Sequence, residues 1–250
     1  QNWLALFKSM GMDGAPRALT KKPVMTLPYG STMQACTQSI FRWVHEEAKD
    51  FFPKNTNFKH AIYLSPLLWH SIGEVVVAAR VAMSWLQKCA SVTGKENYPL
   101  LYASPLGFPV YQAVMHQTLR RVQSIIGGTM EILLAEPTKQ LDVRKQRQGS
   151  SPNLVHHADA THLMMCVNEG IAEDIDCYAL IHDDFGVHAS RVDTWQRIIR
   201  EQFVKLHTDH DLLSDFKEFH EHRNEIMLPE LPDRGDLDLN SVLKSLYFFG

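Results

Sequence analysis

Cysteine is scarce in this sequence. Cys36, Cys89, Cys166 and Cys177 are scattered without any C-x-x-C spacing, which argues against a structural zinc site or a disulfide framework. Four reduced thiols in a cytosolic protein are expected instead. No run of about 18 apolar residues occurs, and no charged-then-apolar leader, so neither a membrane span nor a signal peptide is supported. The sequence opens at Gln1 without a methionine and reads as a soluble piece of something longer. An internal repeat, a low-complexity run and an H-E-x-x-H pattern are also lacking. Charge of one sign is nearly balanced, with 25 Lys and Arg against 28 Asp and Glu, a net of -3. By itself that balance argues weakly against nucleic-acid binding.

What is present is enough for a real core. The chain has 250 residues, 45% of them hydrophobic, a length that permits one large domain or two small ones. Charge is unevenly placed. From 116 to 148 there are six Lys or Arg (Arg120, Arg121, Lys139, Arg144, Lys145, Arg147) against three acids, and from 209 to 238 ten acids against three bases. One region is suited to face phosphate and the other to be a solvated surface, or both are ordinary surface variation.

Helical signals dominate. Ser71 with Glu74 has the capping-box pattern, and Ile72, Val75, Val76, Ala79, Ala82, Met83 and Leu86 follow at helical spacing. They predict one long helix. Residues 33–52 and 191–207 also read as helices, and Pro229 and Pro232 precede a last short one at 239–245. Residues 111–137 hold two apolar stretches around Gly127 and Gly128, which predicts a hairpin; Cys177 to Ile181 with Phe185 to Val187 predicts a second. The most polar, loop-like stretch is 139–151, where an internal boundary is expected. The fold class is α+β, predominantly helical.

Three constellations carry chemistry. Arg17, Lys21, Met25 and Tyr29 fall at i, i+4, i+8 and i+12, one face of a helix on which two cations and a phenol address one ligand such as a triphosphate. Pro23 implies a helix that starts near Lys22 or bends there, and Pro28 and Gly30 mark its end. A plain amphipathic surface gives the same pattern. Asp183, between His182 and Asp184 and flanked by apolar arms, suits a hard divalent cation that takes oxygen ligands in two-metal phosphoryl transfer. A polar turn is the alternative. His156, His157, Asp159 and His162 do not converge on a helix as metal ligands; they are expected as polar-surface or nucleic-acid-contacting groups. His188, His207, His210, His220 and His222 are expected on the solvated surface.

Taken in order, these segments resemble the single-subunit, phage-type DNA-directed RNA polymerases. The resemblance is carried by Arg17-x3-Lys21-x7-Tyr29-Gly30 within KKPVMTLPYGST, then LLWHSIGEVVVAARVAMSWL, GFPV at 107–110, PNLVHHADATHL at 152–163, ALIHDDFG at 179–186 and the ending LPDRGDLDLNSVLKSLYFFG. It covers essentially the whole chain. It implies a right-handed polymerase fold with an antiparallel palm hairpin, residues 1–156 being fingers with a specificity hairpin near 111–137, and 157–250 the C-terminal half of the palm. By resemblance, Lys21 contacts the incoming triphosphate and helps protonate pyrophosphate, Arg17 supports the phosphates, and Tyr29, followed by Gly30, helps select ribonucleotides. Asp183 is a magnesium-binding aspartate with His182 beside it, and His156 lies near the ribose. Arg121 and Gln123 stand where promoter bases are read, apt because these side chains pair with guanine and adenine.

The partners so implied are template and promoter DNA, RNA product, ribonucleoside triphosphates and an N-terminal polymerase portion, with Mg2+ as cofactor and no membrane. The location implied is cytoplasmic, the host cytoplasm if phage-encoded. Asp184 stands where these enzymes commonly carry serine. The motif with the other metal-binding aspartate belongs upstream of residue 1, so the chain alone is expected to be inactive. Alternatives are a related family A-like DNA polymerase fragment, weighed against by Met25, a non-catalytic nucleic-acid-binding subunit, and a metal-dependent phosphohydrolase using His182 and Asp183.

Overall fold

The structure is a computed structural model that describes residues 2–53, 55–125, 130–181 and 184–248. It is mainly helical, with three two-stranded antiparallel sheets among the described residues. The chain divides into two compact units, Gln1–Ser84 and Trp85–Gly250.

The first unit holds α1 (Asn2–Ser9), α2 (Arg17–Thr26), α3 (Met33–Glu47) and α4 (Asn57–Val75). Trp3, Leu6 and Phe7 of α1, Leu19 of α2, Cys36, Ile40, Trp43 and Val44 of α3 and Ala61 of α4 form one core cluster. Thr32 caps α3 by accepting from the Ala35 N–H at 3.3 Å, and the buried Thr37 hydroxyl donates to Ser65 Oγ at 2.8 Å, which pins α3 to α4.

The long helix expected to start at Ser71 is two helices. Ser71 lies inside α4, and the chain turns at Val76, with φ −100° and ψ 60°, before α5 (Val77–Lys95). Val75, Val76 and Val77 are consecutive β-branched residues, which restrict χ1 and lower helix propensity where the turn occurs. α2 also departs from expectation. It begins at Arg17, where the Pro16 carbonyl accepts from Leu19 N–H at 3.0 Å, and runs on through Pro23.

The second unit begins within α5, at Trp85, and continues with β1 (Leu100–Ala103), β2 (Pro109–Gln112), β3 (Met115–Ser124), β4 (Met130–Leu141), α6 (Val143–Ala172), β5 (Tyr178–Ile181), β6 (Asp184–Val187), α7 (Val192–Asp209), α8 (Leu212–Asn224) and α9 (Ser241–Lys244). Both expected hairpins are present as β3–β4 and β5–β6; Gly127 and Gly128 lie outside the described residues. The β1–β2 hairpin and α8 carry no strong sequence signal. The expected loop at 139–151 is the end of β4 and the first turns of α6, capped by Asp142, whose carboxylate accepts from Lys145 N–H at 3.1 Å. Polar residues read as loop there because only one face of α6 is buried, through Gln146 and Ser150.

Two clusters make this core. Trp85, Leu86, Cys89 and Ala90 of α5 pack with Leu100, Tyr102, Leu154 and Phe216. Cys166, Ile175, Trp195, Ile198 and Ile199 pack under β5–β6. All four cysteines are free thiols, and burial pushes Cys89 and Cys166 up to about 12, so they behave as apolar groups. Among the described residues no single helix is long and apolar enough to cross a membrane.

Candidate nucleotide and nucleic-acid sites

α2 builds the site of the first unit. At 100° per residue, Leu19, Pro23 and Leu27 fall on one side and are buried, while Arg17, Lys21 and Met25 fall on the other and are exposed. Pro23 thus keeps its ring on the core side, and its missing N–H costs one hydrogen bond without moving the stripe. Past the helix, Tyr29 N–H donates to Thr26 O at 3.2 Å, Gly30 N–H to Leu27 O at 3.0 Å and Ser31 N–H to Thr26 O at 3.2 Å. Gly30 has φ +81°, the left-handed conformation that glycine adopts without strain. The turn leaves Tyr29 half-buried rather than on a fourth helical turn.

In the second unit, β5 and β6 flank the expected carboxylate. Their register runs from Tyr178 opposite Val187 to Ile181 opposite Asp184. His182 and Asp183 lie outside the described residues; Asp184 is exposed at the start of β6. The arms are held from below. Trp195 on α7 donates its indole N–H to the Phe185 carbonyl at 3.1 Å, and the Tyr178 hydroxyl donates to Ile175 O at 2.7 Å. Both rings meet at Gly170, where a Cβ would lie 2.5 Å from Tyr178 Oη and 3.1 Å from Trp195.

The histidine cluster on α6 separates by face. His156 is exposed, but His157 and His162 are buried, contrary to the surface expectation. His157 lies edge-on to Tyr102 with ring centroids 5.1 Å apart, and His162 Nε2 donates to the Ile199 carbonyl at 2.8 Å. Burial holds both below the ordinary imidazole range. His220, also expected on the surface, is buried in α8 between Phe216 and β1. His207 is half-buried, and burial, His162 and Arg234 depress it. Histidine's polarity hid these positions; the apolar neighbours at helical spacing were the signal available.

β3 and β4 form a ribbon with both faces exposed. Leu119, Arg121 and Gln123 alternate onto one face opposite Ala135, Leu133 and Glu131. Arg120 pairs with Glu136 at 3.6 Å on the other. Amides hold the root: Gln112 Nε2 donates to Gln146 O at 2.8 Å and to Gln146 Oε1 at 2.9 Å, Gln146 Nε2 donates to Gln112 O at 2.8 Å, and Asn153 Nδ2 donates to Gln112 Oε1 at 2.6 Å. Asn97 grips β4, donating to Lys139 O at 3.1 Å and accepting from Leu141 N–H at 2.8 Å. Sequence reading missed this network because Gln and Asn carry no periodic signal.

Residues 6–227 match the family described as DNA-dependent RNA polymerase. The chain belongs to that family. It is 36% identical over 93% of its length to the mitochondrial DNA-directed RNA polymerase 1 of Nicotiana sylvestris, covering 23% of that protein. Against the chloroplastic/mitochondrial DNA-directed RNA polymerase 2 of Arabidopsis thaliana it is 35% identical over 95% of its length, covering 23%. With the chloroplastic DNA-directed RNA polymerase 3 of Nicotiana sylvestris it shares 36% identity over 98% of its length, covering 25%. The chain thus spans about a quarter of the length of these relatives, which by name are nucleotidyltransferases. The match extends over α2, the ribbon, α6 and the β5–β6 hairpin.

Proposed function

We propose that this chain forms the fingers and the second half of the palm of a single-subunit, DNA-directed RNA polymerase that extends RNA by magnesium-dependent ribonucleotidyl transfer. The observation that carries this reading is the exposed Arg17–Lys21 stripe ahead of the Gly30 turn, within a chain of the RNA polymerase family. Lys21 and Arg17 meet the triphosphate, two cations against a polyanion. Tyr29 stands beside the sugar, and Gly30 makes the turn that presents it. His156 contacts the nucleotide or the pairing duplex from α6. A two-stranded ribbon fits the major groove, where Arg121 and Gln123 pair with guanine and adenine edges in the promoter.

Carboxylate oxygens are the donors that magnesium takes, and the sequence carries two side by side here, Asp183 and Asp184, the latter exposed at the start of β6. Asp183 would hold the ion, with His182 shaping the site beside it. When bound, the ion neutralises charge on the reacting phosphates. A second carboxylate would complete the site, and it is expected from the polymerase portion upstream of this chain, so the chain is inactive alone.

The test is RNA primer extension on a DNA template with magnesium. This chain is compared with one extended upstream through the second aspartate, each with and without Asp183→Asn. Extension by the longer form, abolished by the substitution, is the expected result; no extension in any form overturns the reading. Because Asp184 replaces the common serine, the assay is run with ribonucleotides and deoxyribonucleotides. Preference for the latter would assign a related DNA polymerase.

A further inference from the structure

The outward face of the first turns of α6 is a row of cations that the nucleotide and promoter readings leave unused. From 137 to 148 the sequence carries Lys139, Arg144, Lys145 and Arg147 against one acid, Asp142. All four cations are exposed. Among the described residues no carboxylate lies within ion-pair distance of Arg144 or Arg147; Lys145 reaches Asp142 only at 4.0 Å. Asp142 is already engaged as the α6 cap and has His116 Nδ1 at 3.9 Å.

The row is also fixed in place. Gln146, on the opposite side of the same turns, is buried and bonded to Gln112 by the amide pair, which sets the cations on the outward side. The backbone at Lys139 is held by the Asn97 bond to its carbonyl. Four exposed cations, of which only Lys145 has a carboxylate at 4.0 Å, therefore stand at the root of a ribbon that carries Arg120 and Arg121. Exposed cations in a row, three of them without a carboxylate partner among the described residues, suit a repeating anion. Contacts from Arg and Lys to phosphate oxygens position a protein on the duplex without carrying sequence information.

We propose that Lys139, Arg144, Lys145 and Arg147 form a sequence-independent seat for the phosphate backbone of duplex DNA at the root of the β3–β4 ribbon. This inference rests on the reading of the chain as a DNA-binding polymerase part and assigns it a second, non-reading contact. Backbone contacts fix register and orientation while base contacts specify, so the two sets separate by their salt dependence.

The test is fluorescence anisotropy of this chain with labelled duplex DNA of random sequence, between about 50 and about 200 mM salt. The combined variant Arg144→Gln, Lys145→Gln, Arg147→Gln is expected to lower the slope of log affinity against log salt by about 3, roughly one per lost phosphate contact, and to weaken binding equally on every duplex. Lys205→Gln, an exposed cation on α7, should leave the slope unchanged. An unchanged slope in a combined variant that melts like the parent overturns the proposal, as does a parent chain that fails to bind random duplex at low salt. Should the combined variant melt early, the three single variants decide, each expected to remove about one unit of slope. Loss of slope with no RNA synthesis by the upstream-extended form would keep the seat and remove the polymerase reading. RNA synthesis with an unchanged slope would do the reverse.

Discussion

The backbone N–H of Leu101 donates to Nε2 of His220 at 3.3 Å, joining β1 to α8 inside the second core. The other ring nitrogen, Nδ1, lies 2.8 Å from the Phe216 carbonyl and donates to it. These bonds define one neutral tautomer. A second proton would set an N–H against the Leu101 N–H.

Acid should therefore destabilise the second unit before carboxylates titrate. Burial depresses His220 below the ordinary imidazole range, with Arg223 adding to the shift and the Phe216 bond opposing it; burial likewise depresses His157, His162 and His207. Because the folded values lie below the unfolded value of about 6.5, the unfolded chain takes protons first. The stability is fully present above about pH 6.5 and is lost as pH falls through the folded values. Urea melts at stepped pH should show a falling midpoint below about pH 6.5. His220→Leu should flatten part of that fall while costing about 1–3 kcal/mol at neutral pH, since it strands the Leu101 N–H.

The Gln112–Gln146 pair should couple strongly. Truncating Gln146 to leucine leaves buried polar groups of Gln112 without partners, at about 1–3 kcal/mol each. The double change Gln112→Leu, Gln146→Leu should cost less than the sum of the singles, because both halves of the amide pair leave together. A denaturation double-mutant cycle measures this; strict additivity would mean that the amides do not act as a unit.

The Gly170→Ala variant probes the base of the β5–β6 hairpin. The added Cβ cannot sit 2.5 Å from Tyr178 Oη, so Tyr178 or Trp195 must shift. The expected cost is about 1–3 kcal/mol from overpacking, together with a change in tryptophan emission as the bond from Trp195 to the Phe185 carbonyl lengthens. Unaltered melting and emission would show that the site has room to adjust.

How much could be read beforehand depended on the kind of signal. Apolar periodicity located α3 and α7, because burial imposes a period directly on sequence, whereas the hairpins were legible as apolar stretches around Gly127 and Gly128 and around His182 to Asp184. It misread Ser71, where a local capping pattern lies inside α4 and the break comes five residues later at Val76. The polar segment at 139–151 hid a helix whose buried side is glutamine and serine rather than leucine. The α2 stripe was legible as spacing, and only Leu19 and Pro23 on the buried side show which face is outward. For His162 and His220, tertiary hydrogen bonds to the Ile199 carbonyl and from the Leu101 N–H made burial tolerable, and His157 packs edge-on to Tyr102; no local pattern reports such partners.

The α2 stripe offers the cleanest separation of function from folding. Lys21 is exposed, opposite Leu19 and Pro23, so Lys21→Ala should shift stability by no more than about 0.5 kcal/mol. In the upstream-extended form, however, removing the cation proposed to meet the triphosphate should lower the extension rate by on the order of 10²-fold or more. Leu19→Ala should behave oppositely. Its side chain is in the first core, so the loss is about 2–5 kcal/mol of stability, with the extension rate per folded molecule changed far less. Thermal melts and single-nucleotide extension on both variants check the pair. If Lys21→Ala extends at the parent rate, the outward face of α2 does not hold the triphosphate, and its charge is surface solvation alone.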